Sequence, residues 1–345
     1  MWYVGLDIGL TKHYVVVMDA EGHIAQQQRL PNESLALQRF FETLEGPCRV
    51  VREATGNWVA VYERIEPYVQ EVVLAHPLKV RAIASARIKT DKIDATTLAH
   101  LLRADLIPQA YIPPRQIRDW RELARHRAFL VRLQTRVKNR VHSLLAKRGV
   151  TPPGASDLFG VAGLTWLAAL ELAEPYAAMR TRYLAVLAHL RAQLRVVEQT
   201  IDQTVTTTPE ARLIMTVPGI GRYLALLVLA EIGEIQRFPS PKHLVSYAGL
   251  CPSTYASGQT LRHGHLTHQG SPWLRWACIE AATHLGRRRP ADRLARQFQR
   301  LCQRRDAKTA RVAVARELCH VVFHILSKRE PYRAEPSSAL MIPGR

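Results

Sequence analysis

The chain of 345 residues carries a formal net charge of +19, from 48 Lys and Arg against 29 Asp and Glu. Its 47% apolar content is enough to bury hydrophobic cores, which excludes intrinsic disorder over most of the length. The longest uninterrupted apolar run, Tyr223 to Ala230, is too short to span a bilayer, and we expect no signal peptide before the first strand.

The first 110 residues alternate short apolar runs with amphipathic segments. The patterns predict strands at 2–8, 14–18, 23–29, 48–53 and 71–75, and helices at 34–44, 58–68 and 95–103. Three strands, a helix, a strand, a helix and a further strand indicate an α/β unit with a mixed sheet.

A different pattern begins at residue 115. Leu123, Leu130, Val137 and Leu144 recur every seven residues, which predicts a long amphipathic helix with eleven Lys and Arg between residues 115 and 148. A Pro-Pro-Gly breaker follows, and a second seam with heptad spacing runs from Tyr183 to Ile201. Two such helices predict an antiparallel arm or a dimer coiled coil, with an ordinary helix pair packed on a core as the alternative.

The remaining residues predict a third, mostly helical part. Thr216 to Gly221 resembles a helix-hairpin-helix turn, whose glycines let backbone N–H groups approach a phosphate. Cys251 to Gly270 is predicted as a polar loop with three Gly and three His, and Ser271-Pro272 as the start of a helix. The last residues predict a frayed tail.

Charge is distributed unevenly between these parts. Residues 1–110 hold 12 Lys and Arg against 13 Asp and Glu, whereas residues 111–345 hold 36 against 16. This excess indicates a polyanionic partner, most often nucleic acid. We predict a catalytic unit at 1–110, a helical arm at 111–208, a C-terminal domain at 209–330 and a flexible tail at 331–345. The five dispersed cysteines, with no CxxC pair, favour a reducing cytoplasm, where we expect association with the nucleoid.

Four acids in the near-neutral unit form an ordered set. Asp7 and Glu53 stand at or near the ends of predicted strands, and Asp91 and Asp94 share one face at the start of a predicted helix. Carboxylates gathered at one edge of a sheet need a cation, and hard oxygen ligands select Mg²⁺ or Mn²⁺. Two such ions can clamp the attacking and leaving oxygens of a phosphodiester.

Each acid also has an ordinary structural interpretation. Asp7 could bond the turn at Gly9, Glu53 could pair with Arg52 or Lys89, and the two helical acids could serve as cap and first-turn acids. The segment from Asp7 to Lys12 also resembles the first phosphate hairpin of actin-like sugar kinases. No second phosphate hairpin follows in register, and the basic remainder fits a small-molecule kinase poorly.

Several short motifs, taken together, resemble the DEDD transposases of insertion sequences. In the first part these are Gly-Leu-Asp-Ile-Gly (5–9), Glu-Ala-Thr-Gly (53–56) and Lys-Thr-Asp-Lys-Ile-Asp-Ala (89–95). In the last part they are Val-Pro-Gly-Ile-Gly (217–221), Arg-Phe (237–238), Tyr-Ala-Gly-Leu-Cys-Pro-Ser (247–253), Ala-Ser-Gly (256–258) and Trp-Leu-Arg (273–275). The resemblance extends from about residue 3 to about residue 325.

The resemblance implies a RuvC-like, ribonuclease H-type domain, a coiled-coil arm and a transposase domain that carries a serine nucleophile. It implies that Asp7, Glu53, Asp91 and Asp94 are catalytic acids that bind Mg²⁺, with Mn²⁺ as the substitute. It further implies a covalent phosphoserine link to DNA, a structured noncoding guide RNA as partner, and assembly as a dimer or tetramer.

By the same resemblance the nucleophile is Ser257, which stands before Gly258. Ser253 is the competing candidate. A serine hydroxyl needs activation by a base or metal, and Arg262 lies close in sequence to stabilise developing phosphorane charge. The neighbouring His263, His265 and His268 do not have the spacing of a structural zinc site with Cys251, so phosphate contacts or loop polarity are the favoured interpretation.

Basic positions on the predicted helices and loops, together with two turn glycines, are the expected contacts to nucleic acid. These are Lys12, Lys89, Lys92, Arg125, Arg132, Arg136, Lys138, Arg140, Gly219, Gly221, Arg262 and Arg275. The leading hypothesis is an RNA-guided DNA recombinase. The alternatives are a RuvC-like metal-dependent nuclease without a serine adduct, and an inactive nucleic-acid-binding protein.

Overall fold

A computed structural model describes residues 1–84, 90–154, 157–257, 260–286 and 292–333. The chain divides into two compact units, Met1–Ile112 and Pro113–Arg345. The finer division of the second unit into arm, domain and tail stays a prediction. No helix in the described part of the chain is long and apolar enough to cross a membrane.

The first unit is built on a five-stranded mixed sheet of order β3-β2-β1-β4-β5. Its strands are β1 (Trp2–Ile8), β2 (Lys12–Met18), β3 (Ile24–Pro31), β4 (Cys48–Glu53) and β5 (Glu71–Ala75). The first three strands form an antiparallel meander, and β4 and β5 extend the sheet in parallel with β1. Helices join them: α1 (Ser34–Glu42), α2 (Trp58–Ile65), α3 (Pro77–Ile83) and α4 (Asp91–Arg103), with a 3₁₀ turn at Glu66–Tyr68.

Both faces of this sheet are covered. Val4 and Leu6 of β1 share a core with residues of α1 and α2. Val51 of β4 lies on the other face and shares a core with residues of α3 and α4. The arrangement is ribonuclease H-like, and the predicted α/β class of this unit is confirmed.

The second unit is mostly helical. Its elements are α5 (Arg115–Lys147), α6 (Val161–Ala169), α7 (Tyr176–Thr207), α8 (Pro209–Met215), α9 (Arg222–Ile232), α10 (Pro241–Tyr247), the strands β6 (Pro252–Ser257) and β7 (Thr260–Leu266), α11 (Pro272–Gly286), α12 (Arg293–Arg304) and α13 (Ala307–Lys328). A large core joins α9, α11 and α13 to the base of α5 and α7.

The two heptad seams pack against each other within one chain. Leu130 of α5 contacts Leu190 and Leu194 of α7 in one cluster. Toward the C-terminal end of α5, Leu144 shares a cluster with Leu187. Partner numbers therefore fall as α5 advances, which makes the pair antiparallel.

Several local structures differ from the sequence-based predictions. The helix α4 extends beyond the predicted run 95–103 and begins at Asp91, at the start of the helix predicted for the two acids, because the Thr90 hydroxyl caps it by accepting the N–H of Ile93 at 3.2 Å. The helices α3 and α6 were not predicted. The segment predicted as a polar loop forms the antiparallel hairpin β6–β7.

Candidate active site

The register of β1 and β4 brings two of the predicted catalytic acids together. Leu6 pairs with Arg52 across these parallel strands, so the next residues, Asp7 and Glu53, lie side by side at the carboxyl edge of the sheet. Both continue the alternation that places Gly5 and Val51 on the face covered by α4. Asp7 and Glu53 are both partly buried.

A close backbone approach places the other two acids at the same edge. A Cβ added to Gly5 would lie 1.9 Å from the Ala95 carbonyl oxygen, so only glycine lets α4 pack this tightly on β1. At its far end, the Arg103 guanidinium donates to the Ala20 carbonyl, beyond the end of β2, at 3.1 Å. The helix therefore runs antiparallel to β1, and its first turn, with Asp91 and Asp94, begins at the edge that carries Asp7.

A buried arginine that was not among the predicted site residues fixes the backbone at this edge from the opposite face of the sheet. Arg52 is fully buried on the opposite face of the sheet. Its Nε donates to the Glu53 carbonyl at 3.0 Å, and its Nη2 donates to Thr55 Oγ1 at 2.7 Å and to Asn57 Oδ1 at 3.3 Å. Burial lowers the pKa of Arg52 to about 10, although the Asp7 and Glu53 carboxylates oppose that change. Arg52 thus holds the backbone of Glu53 and the turn after it in one conformation.

The four acids suit a hard divalent cation in the kind of atom they supply, because carboxylate oxygens are the ligands that Mg²⁺ and Mn²⁺ prefer. They also share one edge of the sheet. Among the described residues, however, no three His, Cys, Asp or Glu side chains form a group that could hold a metal ion. The four carboxylates are therefore of the right chemical type for Mg²⁺ and lie at one edge of the sheet, but the described side chains are not grouped around a single metal position.

The two candidate nucleophiles lie on the hairpin β6–β7. Ser257 is the last residue of β6 and pairs with Thr260, while Gly258 lies outside the described residues. Ser253 sits near the hairpin base, where its hydroxyl donates to the His265 carbonyl at 3.1 Å. Ser253 therefore has a structural partner inside the hairpin, whereas Ser257 ends the strand β6.

A buried carboxylate that the motif analysis also missed anchors the end of this hairpin segment. Glu231 is 2% exposed, although it lies in the apolar helix α9. Its Oε1 accepts from Arg125 Nη2 at 2.7 Å, and its Oε2 accepts from the Ser271 hydroxyl at 2.8 Å. The same hydroxyl accepts the N–H of Leu274 at 3.1 Å and so caps α11, which directly follows the hairpin.

The predicted nucleic-acid contacts fall into three groups. Arg136 and Arg140 on α5, Arg262 on β7, and Lys12 and Lys92 of the first unit are exposed. Arg125, Arg132, Lys138 and Arg275 are engaged or partly buried: Arg125 binds Glu231, Arg132 lies over the Trp273 ring, Lys138 lies over the Phe159 ring, and Arg275 has an unpaired buried Nη1. Lys89 lies outside the described residues.

The two glycines predicted to approach phosphate lie between α8 and α9. Gly219 has a left-handed backbone with φ of +91°, and a Cβ there would lie 2.7 Å from the Ala281 carbonyl oxygen. Gly221 precedes the first turn of α9, is exposed, and has no neighbouring atom within 4 Å of an added Cβ. The turn thus needs Gly219 for its shape, while Gly221 leaves the helix start open.

Comparison with known proteins identifies two family regions in this chain. Residues 4–148 match the model of the DEDD transposases of the IS110 type, and residues 211–298 match the model described as transposase, IS116/IS110/IS902 family. A probable family 20 transposase from Pseudomonas aeruginosa is 26% identical over 96% of this chain and 98% of its own length. The transposase for insertion sequence element IS1111A from Coxiella burnetii is 24% identical over 96% of this chain and 91% of its own. The transposase for insertion sequence element IS1328 from Yersinia enterocolitica is 22% identical over 94% and 96%.

Both family regions occur in one chain, in order, and the first includes the ribonuclease H-like sheet with Asp7 and Glu53 and the helix α4 with Asp91 and Asp94. The chain therefore belongs to the IS110/IS116/IS902 family of transposases and is an enzyme of DNA transposition.

Proposed function

We propose that this transposase cleaves and rejoins DNA through a covalent phosphoserine intermediate on Ser257, assisted by Mg²⁺ at Asp7, Glu53, Asp91 and Asp94. The observation that carries the acid half of the proposal is the shared edge: Asp7 and Glu53 are neighbours in register, and α4 begins there with the other two acids. When bound, Mg²⁺ supplies Lewis-acid polarisation of the scissile phosphate.

The residues of the chain then have distinct tasks. The Ser257 oxygen attacks phosphorus, the bond to one deoxyribose oxygen breaks, and that oxygen leaves as a hydroxyl after taking a proton. The hydroxyl end of the exchanged strand next attacks the phosphoserine, which restores both the phosphodiester and the serine. Arg262, exposed on β7 and paired in register with Tyr255, would stabilise the charge that develops at phosphorus.

Two structural observations support Ser257 over Ser253. The Ser253 hydroxyl is engaged with the His265 carbonyl, and a Cβ added to Gly264 would lie 2.4 Å from that hydroxyl oxygen. The Ser253 hydroxyl is therefore engaged within its own hairpin, which favours a structural role. Ser257 is the last residue of β6, and it is the serine that precedes a glycine in the sequence, as the resemblance to the DEDD transposases requires.

The partners that we propose are DNA at the element ends and target, a structured guide RNA, and further copies of this chain as dimer or tetramer. The uneven charge supports a large nucleic-acid surface, because residues 111–345 hold 36 Lys and Arg against 16 Asp and Glu. If a guide RNA sets the target, base pairing carries the specificity and the protein contacts mainly shape and backbone.

Trapping the protein on DNA tests the serine. End-labelled DNA of the element ends is incubated with protein, Mg²⁺ and the noncoding RNA of the element, and adducts are separated on a denaturing gel. We expect Ser257→Ala to abolish the adduct and the matched variant Ser253→Ala, with an unchanged melting temperature, to retain it. The reverse pattern would move the nucleophile to Ser253. Cleavage that leaves free 5′-phosphates and no adduct would establish the nuclease alternative.

The acids are tested by Asp7→Asn and Asp94→Asn. We expect both variants to bind DNA with near-normal affinity, to lose strand exchange, and to lose the heat of Mg²⁺ binding in isothermal titration calorimetry. Full activity of the wild type in EDTA would contradict the metal half of the proposal. DNA binding without cleavage by any wild-type preparation, with guide RNA and Mg²⁺ present, would support the inactive binding protein instead.

A further inference from the structure

The second unit carries a cluster of aromatic rings and arginines that the catalytic proposal does not use. It comprises Tyr223 of α9, Trp273 and Trp276 of α11, and Arg127 and Arg132 of α5, and we call it the aromatic surface. We propose that the aromatic surface binds unpaired nucleotides of a nucleic-acid strand, with Trp276 as the stacking ring and Arg132 as the phosphate contact. The proposal requires that the transposase binds nucleic acid, and it is independent of the serine chemistry.

Ring contacts join these residues in two sets on α5, α9 and α11, and the effect of the Arg132 charge on Tyr223 links the two sets. The Arg132 guanidinium lies 4.8 Å from the Trp273 ring centroid, and the Arg127 guanidinium lies 4.3 Å from that of Tyr223. Tyr223 and Trp276 are next, with ring centroids 6.2 Å apart and planes inclined by 59°. Burial raises the pKa of Tyr223 to about 12, while the nearby charges of Arg127 and Arg132 oppose that rise.

Trp276 is the member with a ring open to solvent. It is 41% exposed, whereas the other five tryptophans of the chain are partly buried. An indole at the surface is available to an external ring, and base stacking on such a ring is tolerant of sequence because every base has a π-face. The inclined Tyr223 ring supports Trp276 from the protein side.

The charges of the surface differ in availability. Arg127 is paired with Glu198 at 2.7 Å. Arg132 is exposed, and within the part of the chain that the structure describes it forms no ion pair, so its charge is available to a phosphate. A guanidinium over an indole beside a free stacking ring matches the alternation of phosphate and base along a single strand.

An unpaired strand is favoured over a duplex for a physical reason. In a duplex each base is already stacked on its neighbours, so Trp276 could reach a base face only by opening a step. An apolar protein partner would not use the surrounding arginines, which continue along α5 as the exposed Arg136 and Arg140.

The experiment measures the binding of fluorescently labelled 15-nucleotide single strands, as RNA and as DNA, and of the matching duplex, without Mg²⁺. We expect Trp276→Ala to weaken single-strand binding at least about fivefold and Trp276→Phe to retain most of it. Duplex binding should stay within about twofold for both variants. Tyr68→Ala, an exposed aromatic of the first unit at the opposite edge of the sheet from the acids, is the matched control and should change neither.

Salt dependence separates the two roles. Arg132→Gln should reduce the slope of log affinity against log salt by about one ion for the single strand, and Trp276→Ala should leave the slope unchanged. Arg182→Gln, which removes an exposed charge on α7, is the charge-matched control and should have the smaller effect. If Trp276→Ala loses affinity for single-stranded RNA alone, the aromatic surface binds the RNA partner. If it loses affinity for single-stranded DNA alone, the surface binds an opened DNA strand, and an equal loss for both means that it binds either one.

The proposal is overturned if Trp276→Ala leaves single-strand affinity unchanged, or if it weakens single strand and duplex equally. Should Trp276→Ala fail to fold, the folded Trp276→Phe variant still provides a test. When an unlabelled single strand binds, the tryptophan fluorescence of the wild type should be quenched more than that of Trp276→Phe. Equal quenching of the two proteins would overturn the proposal. The serine adduct assay is also run with Trp276→Phe, so that a failure of the aromatic-surface proposal can be distinguished from a failure of the proposal that Ser257 is the nucleophile.

Discussion

The Ser271 hydroxyl donates a hydrogen bond of 2.8 Å to the carboxylate of Glu231, which lies 40 residues earlier in the chain. Arg125 binds the other oxygen of the same carboxylate from α5. Three elements, α5, α9 and the start of α11, are thus joined at one buried acid. Because α11 begins directly after the hairpin that carries Ser257, this junction fixes one end of the segment predicted to hold the nucleophile.

Removing the Glu231 carboxylate should therefore be costly. We expect Glu231→Ala to lower the free energy of unfolding by about 3 kcal/mol, because it leaves the Arg125 charge and the Ser271 hydroxyl without their buried partner. Ser271→Ala should cost about 1 kcal/mol through the lost helix cap. Urea unfolding curves provide the measurement.

The matched control is Glu198→Ala, which removes the ion-pair partner of Arg127. Arg127 lies on α5, as Arg125 does, and the Arg127–Glu198 and Arg125–Glu231 ion pairs have the same distance of 2.7 Å. The Glu198 side chain is 45% exposed, against 2% for that of Glu231, so its loss should cost less than about 1 kcal/mol. Equal costs for the two variants would contradict the role assigned to burial.

A methyl group at Gly5 should displace α4 from the sheet. Its Cβ would lie 1.9 Å from the Ala95 carbonyl oxygen and 2.9 Å from the Ala99 backbone nitrogen, so the helix that carries Asp91 and Asp94 must move. We expect Gly5→Ala to lower stability by more than about 2 kcal/mol and to abolish strand cleavage. Gly154→Ala, which meets no atom within 4 Å, should leave both the melting temperature and cleavage unchanged.

The glycines between α8 and α9 should respond in opposite ways. Gly219→Ala combines a φ of +91° with a contact of 2.7 Å, and we expect a loss of about 1–3 kcal/mol in stability. Gly221→Ala has open space, so the fold should be intact. If phosphate approaches the start of α9, Gly221→Ala should still weaken DNA binding at an unchanged melting temperature, and unchanged affinity would argue against a phosphate contact there.

Asp306 makes one helix of the second unit sensitive to acid. Its carboxylate caps α13 by accepting the Thr309 hydroxyl at 2.6 Å and the N–H of Lys308 at 2.8 Å, and these bonds hold its pKa below the ordinary value of 3.8. The ionised form thus favours the folded state. This contribution is complete above the ordinary pKa and is lost as the pH falls through the lower pKa of the folded state.

We therefore expect Asp306→Ala to lower the melting temperature at pH 7 and to have a much smaller effect near pH 2. Asp119→Ala, an exposed acid on α5, removes the same formal charge without a cap and should have little effect at pH 7. A decrease for Asp306→Ala that is the same at both pH values would contradict the assignment of the effect to the ionised cap.

The strands of the first unit could be predicted closely because their signal is local. The runs 48–53 and 71–75 each contain a pair of adjacent valines and are bounded by turn residues, and β4 and β5 occupy the same bounds. The helix α6 was missed because its face pattern is apolar almost all round, so no helical period distinguishes it. The sequence of the hairpin β6–β7 predicts a loop because polar and apolar residues do not alternate in it, and Tyr255 is exposed in the structure.

Tertiary partners explain what the sequence could not predict at the site. The order of the acids along the chain indicated that they share an edge, since strand ends and a following helix start have that relation in a mixed sheet. The partners of Arg52 and Glu231 could not be predicted from neighbouring residues, because Glu231 is paired with a residue 106 positions away and Arg52 is enclosed by the packing of a sheet face. An acid in an apolar helix is the one signal that could have identified Glu231.

Because α5 is one unbroken helix, a small rotation at its anchored base moves its distal end by a larger distance. Its 33 residues span about 50 Å without a break, and the anchors at Arg121 and Arg125 hold it near its first turns. The stretch from Arg125 to Lys147 is about 33 Å long, so one degree of rotation at that anchor moves the distal end of the helix by about 0.6 Å. A change of a single bond length around Glu231 is therefore amplified along the arm, and substitutions at this junction should alter its reach at the distal end more than the geometry at its base.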